Sequence, residues 1–429
     1  MIRESGDRAF AQYTTLPAGE RRRNHMKYPI VSSIVFSIIL SISSFSGAST
    51  LESRPLLSSL SGYDPLTLVF VTNRDSNDIA VIDTKSDEVI ARIALGKFTN
   101  AHMSMLTHDG KKLLVSATGR DQFLIVDLAT LSIERTIATG AAPEHFGITK
   151  DNRYAYVGNM DDDSVSLIDL RKGTELKRFA GFPEPHGFSL SGDGDKMYVA
   201  TFGAHEVRSI DIPTQKMAKR LAIGTVHRAA IRDKARYQSE LKGVANPTLS
   251  IDGKTLYAAD GDSGELGIID TETDRVISTI KVGDAPWRAY ASPDGLWMLV
   301  PNNGDESISV ISTRTQKVVT TLQGGPTMTG VNFVQGGKKA YVISQEESTV
   351  YVYDLENFKQ INRLKIGNNL ALETAATTAD GRKVYLASST DDAIYVIDGA
   401  SDQVKRIANV GRFPWGVTIL GAASQNYCH

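Results

Sequence analysis

Cysteine is almost missing from this 429-residue chain: the single one, Cys428, is the penultimate residue. No internal disulfide can form, and no Cys-x-x-Cys-His segment exists to attach a haem covalently. Charge of one sign is also missing. The 47 Lys and Arg nearly balance the 49 Asp and Glu, for a formal net charge of −2, which leaves no basic field to hold DNA or RNA. The chain has no phosphate-cradling Gly loop, no Ser-His-Asp order and no Cys/His cluster at metal spacing. Asp260-Gly-Asp262-Ser-Gly264 begins like a calcium loop, but Thr271 stands where that loop needs a bidentate Glu. Asp161-Asp162-Asp163 reads as a hairpin turn, where Asp is expected.

Long apolar runs are scarce as well, with one exception. Arg21-Arg22-Arg23 and Lys27 precede an apolar stretch from Tyr28 to Phe45, followed by Ser46-Gly47-Ala48. A basic flank, an apolar stretch and small residues at −3 and −1 predict a signal peptide over 26–48, cleaved near Ala48. That sends the protein to the periplasm or outside the cell. The alternative is an uncleaved anchor holding it on the membrane, facing the periplasm, and contact with a membrane is expected only through this segment. Residues 1–25 read as an upstream extension or a mis-assigned start with Met26 as the true one, and 49–65 as a linker.

What the chain does have is a repeat. Eight segments end alike: AVID (80–83), LIVD (124–127), SLID (166–169), RSID (208–211), GIID (267–270), SVIS (309–312), YVYD (351–354) and YVID (395–398). Their spacings are 44, 42, 42, 59, 42, 42 and 44 residues. Ahead of them stand turns such as His108-Asp109-Gly110 and Pro293-Asp294-Gly295, leading into alternating strands such as Lys383 to Ala387. Strand, turn, strand, turn, strand, turn, strand in about forty residues is one blade of an all-β propeller. The first segment lacks its leading strand, and the chain after Gly411 supplies only a leading strand, Phe413 to Leu420. The expectation is therefore an eight-bladed β-propeller over 66–420 with four-stranded antiparallel blades. Its C-terminal strand completes the first blade, which removes the open edge, and 421–429 is a tail. The 59-residue interval carries an insertion, 225–244, between blades four and five, rich in basic residues and expected as a short helix.

Innermost strands line a propeller's channel, so the repeats can be compared rim by rim. Seven residues before each turn Asp, or its equivalent, stand His102, Glu144, His186, Ala245, Trp287, Thr329 and Glu373, and the closing strand adds Trp415. His145, Arg288 and Arg412 are neighbours, and the insertion contributes Arg228 and Arg232. The repeat itself does not require a polar or aromatic ring. Imidazoles, indoles and guanidiniums together suit a small, flat, anionic, aromatic ligand. The alternative at the same positions is a hydrogen-bonded structural His and a Trp that plugs the channel.

Phe70-Val-Thr-Asn73 and Tyr156-Val-Gly-Asn159, each followed by a polar turn and an xVID strand, resemble the YVTN propeller repeat family across 66–420. Eight blades resemble more closely the cytochrome d1 domain of haem-d1 nitrite reductases and the related periplasmic d1-haem maturation proteins. The match runs through His102-Met-Ser-Met-Leu-Thr-His-Asp-Gly110, Leu113-Leu-Val115 and Gly119-Arg120-Asp121 to Val126-Asp127. A second match, to the maturation proteins, covers 308–354. In the reductases a similar stretch carries the histidine that ligates the d1 iron, so the resemblance implies His102 as a metal ligand. Haem d1 or a related tetrapyrrole is then the cofactor. His186 is the second candidate ligand, Trp287 or Trp415 stacks on the macrocycle, and Arg228, Arg232, Arg288 and Arg412 pair with its carboxylates. The resemblance does not extend to nitrite reduction. Trp287-Arg288 and Thr327-Met328-Thr329 stand where distal histidines are expected, and no c-haem domain is present. The leading expectation is a d1-like propeller in haem maturation or transfer. Beside it stand a non-enzymatic scaffold for a periplasmic protein partner and a lactonase-like hydrolase using Glu144 and Glu373.

Overall fold

A computed structural model describes residues 55–224 and 243–426. The predicted signal peptide, the start at Met26, most of the 225–244 insertion with Arg228 and Arg232, and Cys428 lie outside the described residues. No helix among the described residues is long and apolar enough to cross a membrane.

Eight antiparallel sheets follow one another along the chain. Blade 1 is built from Leu68–Asn73, Asp78–Asp83 and Glu88–Ala94, and the C-terminal strand Pro414–Ile419 pairs with Leu68–Asn73 as its innermost member. Blades 2 to 8 run from the inside outward, opening with Ala101–Leu106, Pro143–Ile148, Pro185–Leu190, Val244–Leu249, Tyr290–Ala291, Met328–Val334 and Leu372–Thr377. The expected eight blades and closure through the C-terminal strand are both present. Blade 8 goes further. Ser424–Asn426 pairs with Leu372–Thr377 on its channel side as a fifth strand, and Ser424 also bonds Phe333 N and Thr377 of neighbouring inner strands.

Local chemistry explains the periodic signals. In the turn after the innermost strand of blades 2 to 6 and 8 a Thr or Ser hydroxyl donates to the Asp two residues on, and its oxygen accepts the backbone N–H that starts the next strand. Thr107, Asp109 and Lys112 show this, as do Ser250, Asp252 and Thr255. The Asp that ends each xVID strand accepts the N–H groups of the following turn, as Asp169 does from Arg171 and Lys172. Of the two YVTN-like Asn residues, Asn73 ties off the loop after the outer strand of blade 8, with Nδ2 donating to the Val410 carbonyl at 2.8 Å, whereas Asn159 Nδ2 donates to the Ser164 and Ser166 hydroxyls of the next strand.

Apolar clusters fill the spaces between successive blades, as Phe70 and Val81 of blade 1 do against Leu113 and Leu124 of blade 2. Three blade interfaces add a polar latch. A residue in left-handed backbone conformation between the two outer strands faces the second strand of the preceding blade. At the closure Asp87 accepts from Lys383 Nζ at 2.8 Å and the Tyr385 hydroxyl at 2.5 Å. Between blades 7 and 8, Asp402 accepts from Lys339 and Tyr341 in the same way. Between blades 4 and 5 the partner is instead on the third strand of blade 4, where Ser209 donates to Asp274 at 2.8 Å.

Candidate functional site

The ring positions found by aligning the repeats sit at the start of the innermost strands, and two backbone devices aim them. The residue two before the ring position is left-handed in six blades: Asn100, Ala142, Glu184, Ala285, Thr327 and Phe413, with φ between 43° and 56°. Non-glycine residues in that region are uncommon and cluster at functional sites. The ring residue then falls on a β-bulge. Pairing skips between Ala101 and Ser104, Pro143 and Phe146, Pro185 and Phe188, Val244 and Pro247, and Leu372 and Ala375. A bulge breaks the strict alternation of side chains. Consecutive residues such as Glu144 and His145 can therefore both serve the mouth. Glycine allows the close approach: a Cβ at Gly416 would lie 2.5 Å from Thr72 Oγ1, and one at Gly187 would lie 2.4 Å from Asn246 Cγ.

An aromatic and imidazole arc results. Phe413 and Trp415 stack at 5.9 Å and 18°. Trp415 lies 5.6 Å from His102, His102 4.9 Å from His145, and His145 4.2 Å from His186, all between ring centroids. His186 continues to Phe202 at 5.4 Å and Trp287 at 6.4 Å, a reach across blade 5 that the small Ala245 permits. Of the three histidines only His102 is half-exposed, whereas His145 and His186 are buried. His186 Nδ1 sits 2.8 Å from the Ala245 carbonyl. Burial, aided by the Arg288 charge and opposed by that carbonyl, lowers the His186 pKa to about 4, so the ring is neutral. The Trp287 indole N–H is buried and meets no acceptor among the described residues.

The expected guanidinium-rich basin is more mixed than the sequence suggests. Arg412 is exposed and donates to the Asp75 carbonyl at 3.4 Å. Arg288 lies 5.0 Å over the Tyr290 ring. A cation that lies directly on the arc is Arg74, which no rim comparison singled out; its guanidinium lies 4.6 Å over Trp415 and donates to Asn100 Oδ1 at 2.7 Å. Opposing it are carboxylates. Burial pushes Glu144 up to about 7, with Asp161 and Glu184 raising it further and Arg74 pulling it down. Burial likewise raises Glu184 to about 7, helped by Asp163 and Asp161. Glu373, buried on blade 8, is also raised to about 7 by burial, although the Ser389 hydroxyl donates to it at 2.5 Å. One ligand atom each from His102, Glu144 and His145 lie within 4.8 Å of one another, and Glu373 does not join that group.

Arg74, Phe202, Gln345 and Ser389 form a second tier. Each is the first residue after its blade's second strand, and Gln345 and Ser389 both donate to Glu373. The same repeat alignment, read at that position as well, finds them.

A family model of YNCE-like β-propellers matches residues 59–237 and 239–425. Antigen Lp49 of Leptospira interrogans is 22% identical over 327 residues, which cover 69% of this chain and 68% of that protein. Protein NirF of Stutzerimonas stutzeri is 21% identical over 214 residues, covering 48% of this chain and about half, 52%, of NirF. The solved structure of dihydro-heme d1 dehydrogenase NirN in complex with DHE superposes with a TM-score of 0.66 at 20% identity, over 87% of this chain and 78% of that one. At these identities the likeness is one of fold.

Proposed function

Because the chain belongs to the YNCE-like β-propeller family, and its channel mouth gathers imidazoles against indoles, we propose that it binds a flat anionic tetrapyrrole of the haem d1 kind there. Its role is maturation or transfer of that ligand rather than nitrite reduction. The observation that carries this reading is His102, half-exposed between Trp415 at 5.6 Å and His145 at 4.9 Å. The donor set fits such a group. His102 supplies an imidazole nitrogen, and the stacked Phe413 and Trp415 supply a flat apolar wall. Trp287 keeps an N–H donor that meets no acceptor among the described residues, and Arg74 and Arg288 bring positive charge for propionate-type carboxylates. A bound tetrapyrrole would supply its metal and conjugated ring; the chain's part is to hold, orient and shield it. The fold likeness to NirN, solved in complex with DHE, supports the same ligand class.

The test is a haem titration of the purified protein followed through the Soret band. A shift is expected for the wild type and its loss for His102→Ala, with far-UV circular dichroism unchanged. No binding above background, or a shift that survives His102→Ala, overturns the reading. The scaffold reading then takes its place, favoured by Phe98, which is 77% exposed in the loop entering blade 2. Export to the periplasm rests on the Arg21 to Ala48 segment. N-terminal sequencing of mature protein that began at Met26 would refute cleavage.

A further inference from the structure

We propose that His102, Glu144 and His145 form a binding site for a divalent first-row transition ion. The site shares His102 with the tetrapyrrole reading but does not rest on it.

The geometry comes first. One ligand atom from each residue lies within 4.8 Å of the other two. Metal bonds of about 2.0–2.2 Å at tetrahedral angles hold ligand atoms about 3.3–3.6 Å apart, so side-chain rotations that move the ligand atoms by about an ångström close the set. The three come from adjacent blades, and the frame between them is fixed. Ser116 of blade 2 donates its hydroxyl to the Glu144 carbonyl of blade 3 at 2.6 Å. The same oxygen accepts from Met103 N, the residue next to His102, at 3.0 Å. One buried side chain thus ties the backbone of one ligand to that of another. The bulge between Pro143 and Phe146 brings the consecutive Glu144 and His145 into one group.

The surrounding charge favours a cation. Asp161 and Glu184 add negative charge around Glu144, against the guanidinium of Arg74 among the described residues, which is drawn onto the Trp415 face. Two imidazoles with one carboxylate select zinc, iron(II) or cobalt(II) over calcium and magnesium, which take oxygen ligands. Three protein ligands leave coordination positions open, and the partly exposed His102 gives access from the mouth. The ion would there present a Lewis-acidic position to a small oxygen-donor ligand.

The experiment is a titration of chelator-treated, haem-free protein with cobalt(II) alone, followed through its visible d–d absorption. One equivalent is expected to bind, and zinc(II) to displace it. His145 is buried, and its removal can unfold the protein, so Glu144→Gln carries the test with a melting curve as the fold control. Losing a first ligand should weaken cobalt(II) by at least the order of 10–100-fold seen when only outer-shell partners are removed. No d–d band, or an affinity unchanged in a folded Glu144→Gln protein, overturns the site. A missing cobalt band with the haem Soret shift intact sinks this inference alone. A missing Soret shift with the cobalt band intact sinks only the tetrapyrrole reading.

Discussion

Asp87→Asn tests whether the ring is held shut by charge as well as by strand pairing. Asp87 sits at φ 54° in blade 1 and accepts from Lys383 Nζ at 2.8 Å and Tyr385 Oη at 2.5 Å, both on blade 8. Asn tolerates the left-handed backbone as Asp does, so the substitution removes the charge and little else. A hydrogen bond to a charged group contributes about 1.5–3 kcal/mol and a neutral one about 1 kcal/mol. Two such bonds would lose about 1–4 kcal/mol together. The Lys383 side chain is 28% exposed and Asp87 13%, so water recovers part of the loss, and about 2 kcal/mol is expected. The pH dependence is a second handle. Burial alone would raise the Asp87 pKa, but the bonds and charges of Lys383, Tyr385 and Lys405 outweigh it and hold it below the usual value. A depressed folded pKa gives stability that is present above the unfolded value, near about 3.9, and is lost as pH falls through the folded one. The deficit of Asp87→Asn, read from urea denaturation, should therefore be full at neutral pH and shrink in acid. A deficit under about 0.5 kcal/mol at neutral pH, or one that grows on acidification, would show that the closure latch is electrostatically idle.

Two further outcomes follow from the structure. His205 is buried with Nδ1 2.6 Å from Asp260 Oδ2; burial would lower its pKa, but Asp260, Asp262 and Glu206 outweigh burial and raise it. A raised pKa stabilises below the unfolded value of about 6.5 and is lost as pH rises through the folded one, so His205→Gln should cost more stability at acidic than at alkaline pH, by urea denaturation. Gly416→Ala puts a Cβ 2.5 Å from Thr72 Oγ1; overpacking of about 1–3 kcal/mol is expected, and a melting temperature equal to wild type would mean the inner strands of blade 1 can separate.

The blades were legible because their signals are local. A Thr or Ser, an Asp two residues on and the strand that follows close a turn within six residues, as Thr107 to Lys112 do, and each xVID Asp serves the turn next to it. Closure was legible by subtraction, since a blade short of one strand and a strand short of a blade can only be matched to each other. The fifth strand of blade 8 carried no such sign. Ser424–Asn426 lacks the β-branched or aromatic alternation of a strand, and it pairs because the exposed channel edge of Leu372–Thr377 offers it backbone partners. The false start of a calcium loop at Asp260 is explained at the same level: its first carboxylate is already engaged by His205 and the Ser263 N–H.

The site was legible only in the tier that was compared. His102, Glu144, His186, Trp287, Glu373 and Trp415 share one repeat position, and the repeat delivers them to one mouth. Their chemical states do not follow from position. His102 and His186 are equivalent in the alignment, yet only the first stays half-exposed; the second is walled in by His145, Phe202 and Trp287. That difference comes from a long-range fact, the small Ala245 on the next blade, which lets Trp287 reach across. Arg74 shows the same dependence. It follows a strand of the first blade and comes to lie on Trp415, 341 residues later, because the ring closes there. A repeat thus tells which residues meet, while which of them stays open to a ligand is decided by the sizes of the neighbours and by where the ring is sealed.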